Sequence, residues 1–185
     1  ALLTLASSQA YIDYATSGLE NPMTHLIVVS FYIKYLRTGN NYESPLVLAL
    51  LASLGALNRM DTLLFFLPIL CAKTIAKPRT RTVGYIALGF VPFLIWEIFS
   101  LIYYGFPFPN TAYAKLNTNI PRLEIMGRGM EYYLMSLTED PILVTVIVFG
   151  IIAPFVLKST KHALLSLGIL LYAAYILFIG GGYMA

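Results

Sequence analysis

VGYIALGFVPFLIWEIFSLIYY, residues 83–104, carries a single charged side chain, Glu97. As one continuous helix rising about 1.5 Å per residue, it reaches roughly 33 Å, enough for the ~30 Å hydrocarbon core of a bilayer. The chain that follows is Gly105-Phe106-Pro107-Phe108-Pro109-Asn110-Thr111-Ala112-Tyr113-Ala114-Lys115, which opens the longest polar connection. Two prolines, each behind a phenylalanine, disfavour helical backbone. Asn110 or Thr111 can then cap a short helix by accepting an unpaired backbone N–H. A membrane helix is therefore expected to stop here and to display Tyr113 and Lys115 at the surface.

The composition points the same way. Hydrophobic residues make up 58% and charged residues 11%, with a mean hydropathy of +0.75. A soluble domain carries about 25% charge. The expected class is all-α, a polytopic transmembrane helix bundle forming a single domain over residues 1–185. Net charge +3 is too small, and like charges too scattered, for nucleic-acid binding. The lone cysteine, Cys71, excludes an internal disulfide and reads as inert packing in an apolar run. The start, Ala1-Leu2-Leu3-Thr4-Leu5-Ala6, has no basic residues before it, unlike a signal peptide. It reads as the exit of a helix, and the chain as a fragment of a longer protein.

Hydropathy divides the remainder into apolar helices at 23–37, 45–57, 62–76, 141–157 and 163–179, with loops between them. The first three are short, at about 20–23 Å. They either gain flanking residues or end in a cavity where protein or water satisfies their backbone groups. Gly180-Gly181-Gly182 reads as a helix terminator. Within the long connection, Leu123, Met126, Met130, Leu134 and Leu137 recur at steps of three or four, with Glu124, Arg128 and Glu131 off that stripe. That pattern predicts an amphipathic helix lying in the outer interface.

If the helices alternate in direction, Lys34, Arg37, Lys73, Lys77, Arg79, Arg81, Lys158 and Lys161 share one side. By the positive-inside rule that side is cytoplasmic. Segments 7–22, 58–61, 105–140 and 180–185 then face outward. They carry Asp13, Glu20, Asp61, Glu124, Glu131, Glu139 and Asp140. Acidic residues contribute little to topology, so their accumulation on one face makes it a candidate functional face.

Candidate chemistry lies there. Asp61 stands near membrane depth, where an ionisable group is costly and a partner is expected, and Arg59 is the neighbour able to pair with it. Asp61 is equally placed to cap the helix that follows. Glu20 sits in a turn after Gly18-Leu19, either as a functional carboxylate or as a solvated one. Glu97 is expected to face other helices, paired or protonated. Lys115, Arg122 and Arg128 can hold a phosphate or simply snorkel to lipid. Tyr103, Tyr104, Phe106 and Phe108 read as an interfacial aromatic belt. His25 and His162 are isolated, and no metal-ligating cluster, phosphate loop or nucleophile elbow occurs.

Three segments resemble ordered motifs of the GT-C integral-membrane glycosyltransferases, nearest the bacterial arabinofuranosyltransferase-like branch. They are Ala15-Thr16-Ser17-Gly18-Leu19-Glu20-Asn21-Pro22, Leu57-Asn58-Arg59-Met60-Asp61, and Tyr103-Tyr104-Gly105 with Pro109-Asn110-Thr111-Ala112-Tyr113-Ala114-Lys115. Gly180-Gly181-Gly182-Tyr183-Met184-Ala185 resembles a further motif, except that Gly182 stands where an acid is common. The resemblance implies transfer of a sugar from a polyprenyl-phosphate donor to a glycan or lipid acceptor hydroxyl. The reaction takes place outside the bacterial cytoplasmic membrane, in a multi-pass protein surrounded by lipid, with no cofactor and no nucleotide. It implies a general base upstream of residue 1, with Glu20 and Asp61 as the acids of this chain at the catalytic site. Arg59, Asn110, Tyr113, Lys115 and Arg128 are its implied substrate-binding residues. The competing reading is a transporter or flippase for a lipid-linked or polar solute, which places ionisable groups at mid-membrane.

Overall fold

The computed structural model describes residues 8–16, 18–37, 45–76, 80–108, 113 and 120–181. The regular elements among them are all helical. They are α1 (Gln9–Thr16), α2 (Asn21–Arg37), α3 (Pro45–Asn58), a 3-10 turn (Met60–Thr62), α4 (Leu63–Ala76), α5 (Thr80–Gly89), α6 (Val91–Tyr104), α7 (Arg122–Glu139), α8 (Pro141–Val156) and α9 (Thr160–Ile179).

The buried core lies where α2, α3 and α4 meet. Ile27, Phe31 and Tyr35 of α2 pack with Leu48 and Ala52 of α3 and with Phe66, Ile69 and Leu70 of α4. Phe31 and Phe66 are ring neighbours at 4.5 Å. From this core the bundle grows in two directions. On one side α3 carries α5 and α6; on the other α4 carries α9, which in turn carries α7 and α8. Ser53, fully buried in α3, accepts the Phe93 backbone N–H at 3.2 Å and ties α6 to the core.

Three expectations are corrected here. Residues 83–104 are not one continuous span: the helix breaks at Phe90, and its halves are bent by 53°. Pro92 stands at the start of α6. It has no N–H to donate one turn back, and its ring crowds the carbonyl there. Residues 7–22 are not all loop, because Ser8 caps the short helix α1 by accepting the Tyr11 N–H at 3.1 Å. The Ser8 hydroxyl in turn donates to Asp140 at the α7–α8 corner, at 3.0 Å. Cys71 is also exposed, not packed in the core.

Other boundaries follow the expected pattern. Helix α9 ends at Gly180, with φ +84°, a left-handed cap that glycine adopts without strain. Alone, α9 is long and apolar enough to cross a membrane; α5 with α6 and α7 with α8 qualify only as bent pairs. No residue of α6 or α8 is buried, and Ile102 and Phe149 are 81% and 69% exposed. Such continuous apolar surface is unusual on a protein that meets water on every side.

Helix α7 has three faces. It is turned 113° from α8. It packs on α9 through Gly129, where an added Cβ would lie 2.6 Å from the Leu177 carbonyl oxygen, and through Tyr133, whose hydroxyl donates to the Ala173 carbonyl at 2.6 Å. The stripe of Leu123, Met126, Met130, Leu134 and Leu137 is a separate, exposed face. Glu124 and Arg128 pair at 3.0 Å on the third.

Candidate functional site

The site is built where three segments meet at one end of the bundle. Gly18, at φ +72°, turns the chain from α1 into α2 and leaves Glu20 just before the first turn of α2. At the same end, α3 closes with Asn58. Its amide donates to the Thr24 hydroxyl at 2.7 Å and to the Glu20 carbonyl at 3.2 Å, fixing the two segments together. The Arg59 carbonyl accepts from both the N–H and the hydroxyl of Thr62, at 3.1 and 2.7 Å. Thr62 is almost fully buried, so the backbone that carries Arg59 is held firmly.

The side chains then converge. Arg59 donates from Nε to Asp61 Oδ1 at 3.2 Å and from Nη2 to Oδ2 at 2.8 Å. Its Nη1 reaches Glu20 Oε1 and Asn21 Oδ1, both at 3.4 Å. The fork geometry of a guanidinium suits this, since it offers several donors in one plane. The hydrogen bonds to Asp61 raise Arg59 above arginine's already high range, against the opposing effect of burial. Arg59 is a permanent cation.

The two acids differ in freedom. The Asp61 side chain is 13% exposed and that of Glu20 42%. Both Asp61 oxygens are occupied by one guanidinium, while Glu20 contributes a single oxygen at a long distance. Asp61 makes no capping bond to the helix it precedes; its carboxylate turns back to Arg59 instead. Tyr172 of α9 stacks at 4.3 Å on Phe65, which stands one helical turn after Asp61, and Tyr175 lies 6.3 Å from Tyr172.

The other expected site residues are placed differently. Asn110 and Lys115 lie outside the described residues, as does Gly182. Tyr113 sits against Phe106 and Phe108, with ring centroids at 5.7 and 6.1 Å. Arg128 is engaged with Glu124, and Arg122 lies over the Phe178 ring at 4.6 Å. Glu97, expected to face other helices paired or protonated, has no hydrogen bond or ion pair among the described residues. His25 stacks on Tyr11, and His162 meets the Ser159 hydroxyl at 2.7 Å. Among the described residues no group of three or more His, Cys, Asp or Glu side chains is placed to hold a metal ion.

The cluster can therefore order hydroxyl groups between a fixed guanidinium and two carboxylates, of which Glu20 is the more exposed. No family model, curated protein or solved structure matches the chain.

Proposed function

We propose that the chain belongs to a multi-pass membrane glycosyltransferase acting at the outer face of the cytoplasmic membrane. It would move a sugar from a polyprenyl-phosphate donor to an acceptor hydroxyl. The observation that carries this reading is the convergence of Glu20, Asn21 and Asp61 on Arg59. These residues come from two of the segments that resemble glycosyltransferase motifs, and they are brought together across the fold. The unburied apolar faces of α6 and α8 suit contact with lipid. Lys34, Arg37, Lys73, Lys158 and Lys161 lie at helix ends remote from the cluster, as the cytoplasmic side requires. Helix α7, turned across the bundle end, is then the outward interfacial helix, with its exposed stripe against the outer leaflet.

In this reading a carboxylate base takes the proton of the acceptor hydroxyl, and Glu20 orients that hydroxyl. The acceptor oxygen bonds to the anomeric carbon as the bond from that carbon to the phosphate oxygen breaks, and polyprenyl phosphate leaves. Asp61 is a positioning residue that holds Arg59. With two carboxylates around one guanidinium the cluster carries excess negative charge, so it suits hydroxyls better than phosphate. The phosphate falls to Lys115, with Asn110, Tyr113 and Arg128 on the same outward connection.

Reconstitution in proteoliposomes with a farnesyl-phosphoryl sugar tests the assignment. Glu20→Gln is expected to lower transfer by about tenfold, as loss of an orienting hydrogen bond does. Asp61→Asn and Lys115→Ala are each expected to lower it by about tenfold or more while the protein stays folded. Unchanged transfer in all three variants would sink the site. Topology is tested separately: in a Cys71→Ser background, Glu131→Cys should react with an impermeant thiol reagent from outside intact cells. Labelling solely from the cytoplasmic side would invert the proposed orientation.

A transporter or flippase is the second reading. It is favoured by Glu97, a carboxyl in an apolar helix with no described partner, and by the 53° break between α5 and α6. Solute-dependent movement across the bilayer without sugar transfer would select it.

A further inference from the structure

Resting on the glycosyl-transfer reading, we infer that Tyr172 and Tyr175 of α9 bind the sugar ring of the lipid-linked donor. Both tyrosines lie in an apolar run and share one face of the helix, three residues apart. One turn further in, that face meets α4 closely: a Cβ on Gly168 would lie 2.5 Å from the Phe65 carbonyl oxygen. The Tyr172 ring then stacks on Phe65 at 4.3 Å, and Tyr175 follows at 6.3 Å from Tyr172. Phe65 stands one helical turn after Asp61. The same packing therefore sets the Tyr172 ring one helical turn from the Arg59–Asp61 pair, with Tyr175 beside it.

The hydroxyls are available. Neither phenol has a hydrogen-bond partner among the described residues. No buried side-chain polar atom there lacks a partner, so neither oxygen is fully enclosed. Two neighbouring tyrosines show the contrast. Tyr32 donates to the Phe65 carbonyl at 3.3 Å and Tyr133 to the Ala173 carbonyl at 2.6 Å, so both are committed to the scaffold. Phenols one helical turn from a guanidinium–carboxylate cluster supply donors and acceptors in the mixture that a polyhydroxylated ring needs. The cluster's excess of negative charge selects the sugar over the phosphate of the donor.

The test compares two probes on purified full-length protein: farnesyl phosphate and farnesyl-phosphoryl-arabinofuranose. Wild type should bind the sugar-bearing probe more tightly. Tyr172→Phe with Tyr175→Phe keeps both rings and removes only the hydroxyls. This double variant should weaken binding of the sugar probe by about tenfold, leave farnesyl phosphate unchanged, and keep the wild-type melting temperature. Tyr175→Phe alone, whose ring does not stack on Phe65, gives the same comparison if the double variant unfolds. A wild-type preference that the variants retain, or equal loss on both probes, overturns this subsite and leaves the transfer reading standing. Equal binding of both probes by wild type overturns the two together.

Discussion

Replacing Arg59 with alanine should lower stability by roughly 2–3 kcal/mol and abolish sugar transfer. The stability cost comes from the groups left behind. Asp61 is the more enclosed acid, and both its oxygens now accept from the guanidinium. Removing one member of a largely desolvated pair leaves an uncompensated charge, which costs more than the pair itself contributes. Two segments lose their common anchor at once, since Glu20 and Asn21 also meet Arg59. The loss should be local. Hydrogen exchange should quicken over residues 20–24 and 58–62, while the α2–α3–α4 core keeps its protection. Arg59→Lys separates charge from geometry: it keeps a cation but cannot serve both Asp61 oxygens in one plane, so it should fall between wild type and alanine. If Arg59→Ala melted and exchanged like wild type, the cluster would be a surface feature without structural consequence.

The sequence and the fold agree where one helical turn contains the signal. Pro45 marks the start of α3, Gly180 the end of α9, and the three- and four-residue steps from Leu123 to Leu137 mark α7. Disagreement begins where the decisive contact is remote. The run 83–104 is apolar throughout, and hydropathy carries no information on whether the backbone within it is continuous. Gly89 and Pro92 were the visible hints, but both residues also occur in unbroken membrane helices. In α7 periodicity picks out the apolar stripe, yet the helix docks through Gly129 and a tyrosine hydroxyl, which hydropathy does not distinguish.

The candidate site divides in the same way. Arg59 and Asp61 are near neighbours in sequence, so their pairing is readable from it. Glu20 joins them from 39 positions away, and only the packing of α2 on α3, locked by Asn58, brings it there. Whether Asp61 would cap a helix or pair with Arg59 was open from sequence, because a carboxylate at a helix start satisfies both patterns. The fold resolves it by placing Asp61 inside a 3-10 turn, where its side chain points back to the guanidinium. Tyr172 and Tyr175 sit in a span whose apolar character conceals them. Their spacing was the single available signal, and it acquires meaning only once α9 is laid against α4.

That contact between α9 and α4 is the second place where a large effect is expected. Gly168→Leu should destabilise the protein by about 3 kcal/mol, whereas Gly150→Ala should be neutral or stabilising by up to about 1 kcal/mol. Both glycines lie in apolar helices, and they differ only in what a side chain would meet. At Gly168 the first added carbon falls 2.5 Å from the Phe65 oxygen and 3.1 Å from the Phe65 carbonyl carbon and Cα. These are backbone atoms, which cannot swing aside, so the two helices must separate. At Gly150 nothing lies within 4 Å, and alanine there gains helix propensity at no steric cost. Close approach at small residues is how membrane helices pack when lipid is as apolar as their side chains. Separation at Gly168 also has a chemical consequence one turn further out, because it lifts Tyr172 off Phe65 and away from Asp61. Gly168→Leu should therefore lose transfer in the fraction that remains folded, and Gly150→Ala should retain it. Thermal unfolding in detergent with a transfer assay on the same preparations checks both. Equal melting temperatures for the two variants would mean that α9 and α4 do not pack through Gly168, and the tyrosine subsite would lose its support with them.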